Sequence, residues 1–112
     1  YPAGELKHGT ISLIEKNTNV IAVITDKNIA DKTINNIKEV KTRGATTIII
    51  TTDKIDNEFN PADYKIVIPT TNDFINPMVA TIPLQLIGYE TAKLKGCEID
   101  TPKNLAKSVT VE

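Results

Sequence analysis

Two short runs of β-branched apolar residues, separated by one amphipathic segment, constrain the fold of this 112-residue chain more than any other feature. The runs are Val20–Ile24 and Thr46–Thr51, and the second is centred on Ile48, Ile49 and Ile50. Continuous apolar runs of this length are typical of strands that are buried on both faces, as in parallel sheets. Because parallel neighbours need a crossover connection, usually a helix, the two runs predict a β-α-β unit.

The segment between the two runs is predicted to be that helix. Its apolar positions recur at spacings of three and four residues, which is the period of a helix with one buried face. The residues at these spacings are Ile29, Thr33, Ile34, Ile37, Val40 and Lys41. Asp26 or Asn28 can cap its amino terminus, and Gly44 can end it.

Further elements are predicted on both sides of this unit. Residues Glu5–Glu15 form a short helix with Gly9 inside it, and Asp53–Ala62 is a polar loop or a single turn. Lys65–Ile68 is a third strand, which Pro69 stops.

The last predicted element is a long helix. It starts at Pro77 after an Asn76 cap and runs to about Lys95 before Gly96. Pro83 inside it should bend the helix or mark an irregularity of one turn. Because it is apolar around most of its circumference, we expect most of it to be buried.

The order helix, strand, helix, strand, strand, helix indicates an α/β fold with layers around a mostly parallel sheet. Three strands make a thin sheet, and a parallel sheet needs cover on both faces. The chain also begins at Tyr1 without an initiator methionine. We therefore expect a fragment of a longer protein, with a further strand and helix before Tyr1.

Composition excludes several classes of function. The net charge is −1, so the chain has no basic excess for nucleic-acid binding. The single cysteine, Cys97, excludes an internal disulfide framework, cannot be half of a metal-binding pair, and indicates a reducing compartment. No apolar run approaches the ~18 residues of a membrane span. The sequence shows no glycine-rich phosphate loop.

Two residues are candidates for catalysis. His8, the only histidine, can act as a general acid or base, or it can be a surface or capping residue. Lys107 can form a Schiff base with a carbonyl substrate, or it can be a solvated lysine on a tail. Polar binding residues are also predicted at the carboxyl ends of the strands, where α/β sheets bind ligands. They are Thr51, Thr52, Thr70 and Thr71, although threonine at a strand end is also ordinary.

Three segments resemble one known family, the glutamine–fructose-6-phosphate aminotransferases (isomerizing). The segments are Tyr1–Gly9, which reads YPAGELKHG, Ile82–Tyr89, which reads IPLQLIGY, and Pro102–Glu112, which reads PKNLAKSVTVE. The resemblance covers the whole chain, and the last segment is the most specific. Thr10 departs from the family pattern, which usually has proline after the His-Gly pair.

The resemblance implies a sugar isomerase (SIS) domain, a three-layer α/β/α sandwich with a mostly parallel sheet. Residues 1–97 would be part of the second SIS domain, and residues 98–112 a tail that closes the sugar site. His8 matches the histidine that assists opening of the sugar ring in the neighbouring subunit's site. Lys107 matches the lysine that forms an imine with fructose 6-phosphate, and Ala106 and Ser108 match tail positions that line the sugar.

The family further implies the partners and the setting of the chain. They are fructose 6-phosphate and glucosamine 6-phosphate as substrate and product, a glutaminase domain in the same parent chain, a homodimer and a cytoplasmic location. No cofactor, metal, nucleic acid or membrane is expected. The isolated chain is expected to be inactive. The alternatives are a non-catalytic SIS-type sugar-phosphate-binding domain and a flavodoxin-like nucleotide or flavin binder.

Overall fold

The computed structural model describes residues 1–56 and 62–101, and it contains a three-stranded parallel sheet in the order β1-β2-β3. The strands are β1 (Asn19–Ile24), β2 (Thr46–Thr52) and β3 (Tyr64–Ile68). The helices are α1 (Lys27–Thr42), α2 (Asp53–Asp56) and α3 (Asn76–Leu94), and two 3-10 turns, Ala3–His8 and Thr10–Leu13, precede β1. The predicted α/β class and the predicted parallel β-α-β unit are confirmed.

The connection between β1 and β2 forms as the sequence predicts. The Asp26 carboxylate accepts a hydrogen bond of 2.8 Å from the Asn28 backbone N–H, so Asp26 is the amino-terminal cap of α1. After α1 the chain turns at Gly44, which has a φ of +90°. A side chain there would lie 3.1 Å from the Cα of Lys16. Only glycine fits this close approach without strain.

The two long helices cover opposite faces of the sheet, which gives three layers. On one face, α1 packs on β1 and β2 through the cluster Ile24, Ala30, Ile34, Ile37, Ile49 and Ile55. On the other face, α3 packs on β2 and β3 through Ile50, Ile68 and Ala80. The helices are staggered across the sheet, so β2 is the strand that both layers cover.

Burial of β1 on both faces was a wrong prediction, whereas the same prediction for β2 is confirmed. Ile24 faces α1 and is buried, but Ile21 and Val23 point to the opposite face and are 39% and 40% exposed. In β2, Ile49 faces α1 and Ile50 faces α3, and both are buried. The reason is the stagger, since α3 reaches β2 and β3 and leaves that face of β1 open within the described part of the chain.

The prediction that the last helix is mostly buried was also wrong. Its inner face is buried at Asn76 and Ala80, but Met78, Ile82 and Leu86 are each more than half exposed. Asn76 is the first residue of α3 and its cap position is Ile75, so the predicted Asn76 cap is wrong as well. The helix continues through Pro83 without interruption. It has apolar residues all around, and the described chain supplies cover on one side.

Two smaller predictions are refined. The helix predicted over Glu5–Glu15 is two separate 3-10 turns on either side of Gly9. The segment Asp53–Ala62, predicted as a polar loop or a single turn, begins with α2, a single helical turn, and residues 57–61 lie outside the described residues. Within residues 1–56 and 62–101, no helix has both the length and the apolar character that a membrane span requires.

The amino ends of β2 and β3 and the last turn of α1 are tied together by Asp63. Its Oδ2 accepts hydrogen bonds of 2.8 Å from the Thr47 backbone N–H and 2.9 Å from the Thr47 hydroxyl. Its Oδ1 lies 2.9 Å from the Lys41 ammonium. Together these contacts lower the pKa of Asp63 to about 2. The hydrogen bond from the Thr47 backbone N–H is the largest cause, and the Lys41 ammonium also contributes.

We expect Gly44→Ala to destabilise the chain by about 1–3 kcal/mol, because alanine must adopt a positive φ beside the Lys16 backbone. Urea unfolding followed by circular dichroism measures this change. Gly88→Ala is the matched control, because Gly88 lies within α3 with nothing near its missing side chain. This control should gain up to about 1 kcal/mol from helix propensity. Equal changes in the free energy of unfolding for the two variants would contradict the conclusion that position 44 requires glycine.

We expect Asp63→Asn to lower the urea midpoint at neutral pH and to lose this effect in acid. The pKa of Asp63 is depressed in the folded state, so its ionised form stabilises the fold above the unfolded pKa near 3.8. This stabilisation is lost as the pH falls from about 4 to 2, so the gap between the two proteins should close over that range. Asp31→Asn, at an exposed position of α1, is the control. A gap that is independent of pH would contradict the assignment.

Candidate functional site

The carboxyl ends of the three parallel strands meet at one edge of the sheet, as the sequence predicts. The register pairs Ile24 with Thr51 and Thr52 with Ile68, so all three strands end together. Thr70 and Thr71 follow β3 at the same edge. The structure therefore brings the four predicted threonines into one region.

Thr70 is held by the first residue of α2. The Asp53 Oδ1 accepts a hydrogen bond of 3.0 Å from the Thr70 backbone N–H and a second, short bond from the Thr70 hydroxyl. The hydroxyl bond is the main cause that lowers the pKa of Asp53, and the backbone bond acts in the same direction. The two hydrogen bonds that Thr70 donates to the Asp53 carboxylate thus connect the end of β3 to the end of β2.

Thr71 is held in a similar way by the first residue of α3. Asn76 is 2% exposed, and its Oδ1 accepts bonds of 2.8 Å from the Thr71 backbone N–H and 2.9 Å from the Thr71 hydroxyl. In the same loop, the Asn72 Oδ1 accepts from the backbone N–H groups of Phe74 and Ile75. The donors of this loop therefore bond to the Asn72 and Asn76 side chains, and these bonds fix the start of α3.

The remaining two threonines are buried rather than displayed. Thr51 and Thr52 are 3% and 1% exposed. Thr51 faces the α1 side of the sheet, beside Asp56 of α2 and Lys65 of β3, which form an ion pair. The Thr51 hydroxyl is buried and has no hydrogen-bond partner among the described residues. Of the four threonines, Thr70 and Thr71 organise the loop that follows β3.

His8 lies away from this edge. It is the last residue of the first 3-10 turn, and it is exposed. The preceding residue, Lys7, forms a 2.6 Å ion pair with Glu39 of α1. Because α1 runs antiparallel to the strands, Glu39 lies about 18 Å along the helix axis from its start at the carboxyl edge. The structure therefore separates His8 from the strand-end threonines and presents it near the opposite edge.

The other predicted site residues are not placed by the structure. Lys107, Ala106 and Ser108 lie outside the described residues. Cys97 is free and exposed, just after α3. Within residues 1–56 and 62–101, no cluster of histidine, cysteine and carboxylate side chains is arranged to hold a metal ion.

An apolar groove of about 450 Å³ runs along the open edge of β1. The residues at its walls come from the first 3-10 turn, β1, α1 and α3, and they include Leu6, Ile21, Ile29 and Leu84. Its polar side chains are turned to their own helix, because Thr33 donates to the Ile29 carbonyl and Asn36 to the Lys32 carbonyl. The groove thus offers apolar surface and strand edge, which suit protein packing better than sugar recognition.

Sequence reasoning missed the residues that fix the carboxyl edge. Asp53 and Asn76 are typical turn and cap residues in the sequence, and their partners lie 17 and 5 residues away. The position of its carboxylate directly after a buried strand was the signal that could have indicated the role of Asp53. Because Asn76 precedes Pro77, the sequence indicated a helix cap and gave no sign that the Asn76 side chain accepts hydrogen bonds from Thr71.

Comparisons with known proteins match the whole chain. The SIS domain family model matches residues 1–94. The chain is 50% identical over 112 residues to glutamine–fructose-6-phosphate aminotransferase [isomerizing] of Clostridium tetani, and 47% identical over 112 residues to that of Bacillus subtilis. Each match covers 100% of this chain and 18% of the relative.

A solved structure gives the same result for the fold. The C-terminal domain of glucosamine-fructose-6-phosphate aminotransferase from Francisella tularensis is similar with a TM-score of 0.84 and 37% identity. The match covers 90% of this chain and 29% of that chain. The resemblance and the SIS-type α/β fold inferred from the sequence are thus confirmed.

We expect Asn76→Ala to cost about 1–3 kcal/mol, because it leaves the Thr71 backbone N–H without its buried acceptor. Thermal unfolding of the variant and of Asn35→Ala, an exposed control on α1, measures the difference. A cost for Asn76→Ala no larger than that of the control would show that this loop does not depend on Asn76.

Proposed function

The chain belongs to the SIS domain family, and we propose that it forms the carboxyl-terminal part of the isomerase domain of a glutamine–fructose-6-phosphate aminotransferase. The reaction of the whole enzyme would transfer glutamine-derived ammonia to fructose 6-phosphate and isomerise the product to glucosamine 6-phosphate. The observation that supports this proposal most directly is the match of all 112 residues, at 50% identity, to a relative with this name. The chain spans 18% of that relative's length, so the remaining functions would lie outside it.

His8 would open the sugar ring. Opening requires a proton to leave the anomeric hydroxyl and another to reach the ring oxygen, and an imidazole can carry out both transfers near neutral pH. The exposure of His8 and its distance from the carboxyl edge of its own sheet support a role in the site of a neighbouring subunit. The Lys7–Glu39 ion pair supports this by holding the 3-10 turn against α1.

Lys107 would act on the open-chain sugar. Its amine would attack the ketose carbonyl, and loss of water would give an imine that withdraws electrons from the adjacent carbon. Ala106 and Ser108 would line the sugar on either side of this lysine. Residues 98–112 would then be the tail that closes the site, and residues 1–97 part of the second SIS domain.

The open groove along β1 supports a further assignment. A parallel strand with an unpaired apolar edge can accept another strand by main-chain hydrogen bonds. We assign this edge to a strand of the same isomerase domain that lies before Tyr1 in the parent protein. The glutaminase domain, the homodimer and the cytoplasmic location implied by the family are part of the same proposal.

A chimeric enzyme tests the proposed function. The 112 residues replace their counterpart in the Bacillus subtilis relative, and formation of glucosamine 6-phosphate is measured. We expect the chimera to be active and the His8→Asn chimera to lose about 100-fold or more in kcat, the usual contribution of a positioned acid or base. Lys95→Ala, at the end of α3, is the control and should keep full activity. Unchanged activity of the His8 variant would contradict its role.

Lys107 has a direct chemical test in the same chimera. Borohydride added with fructose 6-phosphate should reduce the imine and attach the sugar phosphate covalently, which mass spectrometry locates at Lys107. The Lys107→Ala chimera should show no adduct and no activity, whereas Lys103→Ala should behave as the parent. Full activity of the Lys107→Ala chimera would contradict the proposed role of Lys107. The isolated chain, with part of one site, should form no product.

A further inference from the structure

A small pocket lies beneath α2, on the face of the sheet that α1 covers, and it combines apolar walls with three polar side chains. The polar side chains belong to Thr51 of β2, Asp56 of α2 and Lys65 of β3. The volume of the pocket is about 10 Å³, which is room for one water molecule and for little else. The apolar walls are formed by Ile24, Ile34, Ile49 and Ile55.

The Thr51 hydroxyl is the polar group of this pocket that most requires a ligand. Thr51 is 3% exposed, and its Oγ1 has no hydrogen-bond partner among the described residues. A buried hydroxyl without a partner destabilises the folded state, because the hydrogen bonds it made to water before folding are not replaced. Other threonines of this sheet bond to carboxylates, since Thr47 donates to Asp63 and Thr70 to Asp53.

Asp56 and Lys65 place opposite charges beside this hydroxyl. Their side chains are 25% and 29% exposed, and they form an ion pair through the Asp56 Oδ1. This oxygen is buried, and it accepts no hydrogen bond from the described residues. The ammonium disfavours a cation in the pocket, and the carboxylate disfavours an anion. The pocket therefore suits a small neutral molecule that can both donate and accept hydrogen bonds.

We propose that this pocket binds one water molecule, which bridges the Thr51 hydroxyl to the Asp56–Lys65 ion pair. The water donates to the Asp56 Oδ1, accepts from the Lys65 ammonium, and makes its third hydrogen bond with the Thr51 hydroxyl. Three hydrogen bonds are the usual number for a buried water. A purely apolar pocket stays dry, so the three polar side chains are what makes water the ligand here.

The bound water attaches α2 to the sheet. Helix α2 is a single turn of four residues, which is too short to be stable without tertiary contacts. Its first residue, Asp53, bonds to Thr70, and its third, Ile55, is buried in the core. Through the water, its last residue, Asp56, also contacts β2 at Thr51. The water is thus part of the framework of the carboxyl edge, and this inference does not depend on the proposed enzymatic function.

A high-resolution crystal structure of the chain tests the proposal directly. We expect electron density for a single water within hydrogen-bonding distance of the Thr51 Oγ1 and the Asp56 carboxylate. Well-ordered walls around a dry pocket would overturn the proposal. A Thr51 hydroxyl that bonds to another group of the protein, or a metal ion in place of the water, would overturn it as well.

The sign of the change in melting temperature for Thr51→Val is a second test. If the water bridges these groups, valine removes one of its hydrogen bonds, and the melting temperature should fall by about 5 °C. If the hydroxyl has no partner, valine removes a buried unpaired group and should raise the melting temperature. Thr46→Val, at a partly exposed position of the same strand, is the matched control and should change it little. A Thr51→Val melting temperature equal to or above that of the parent would overturn the proposal.

Discussion

The stagger of the two long helices across a three-stranded parallel sheet determines which surfaces of this chain are buried and which are open. A parallel sheet is stable when both of its faces are covered, because its strands are apolar on both sides. Here α1 covers β1 and β2 on one face, and α3 covers β2 and β3 on the other. The core is therefore complete at β2. Within the described residues it is half complete at the two edge strands, which leaves the β1 groove and part of β3 open.

Most of the fold could be predicted from the sequence because its signals are local. The apolar runs of β1 and β2, the helical period of α1 and the glycine at position 44 each depend on near neighbours, and each formed as expected. The exposure of Ile21 in β1 and of Met78, Ile82 and Leu86 in α3 could not be predicted in this way. Their surroundings depend on how far a helix reaches across the sheet. The hydrophobic pattern alone does not distinguish a buried apolar side chain from an exposed one.

The candidate site shows the same division. The position of the four threonines at one sheet edge followed from parallel topology, but their hydrogen bonds did not. Asp53 and Asn76 accept hydrogen bonds from Thr70 and Thr71, and these bonds fix the loop after β3. The distance of His8 from that edge also lay beyond sequence reasoning, because it depends on how the 3-10 turn packs against α1. The proposed role of His8 in a neighbouring site rests on the family resemblance, and its exposed position supports that proposal.

The central claim is that His8 completes the site of a neighbouring subunit whose Lys107 binds the sugar. It is tested most directly by mixing two inactive chimeric enzymes, one with His8→Asn and one with Lys107→Ala. If the two residues act in different subunits, a mixed dimer contains one intact site, and random exchange should restore about a quarter of the parental activity. Activity that stays at the level of the separate variants would contradict the claim, because it would place both residues in the same subunit's site.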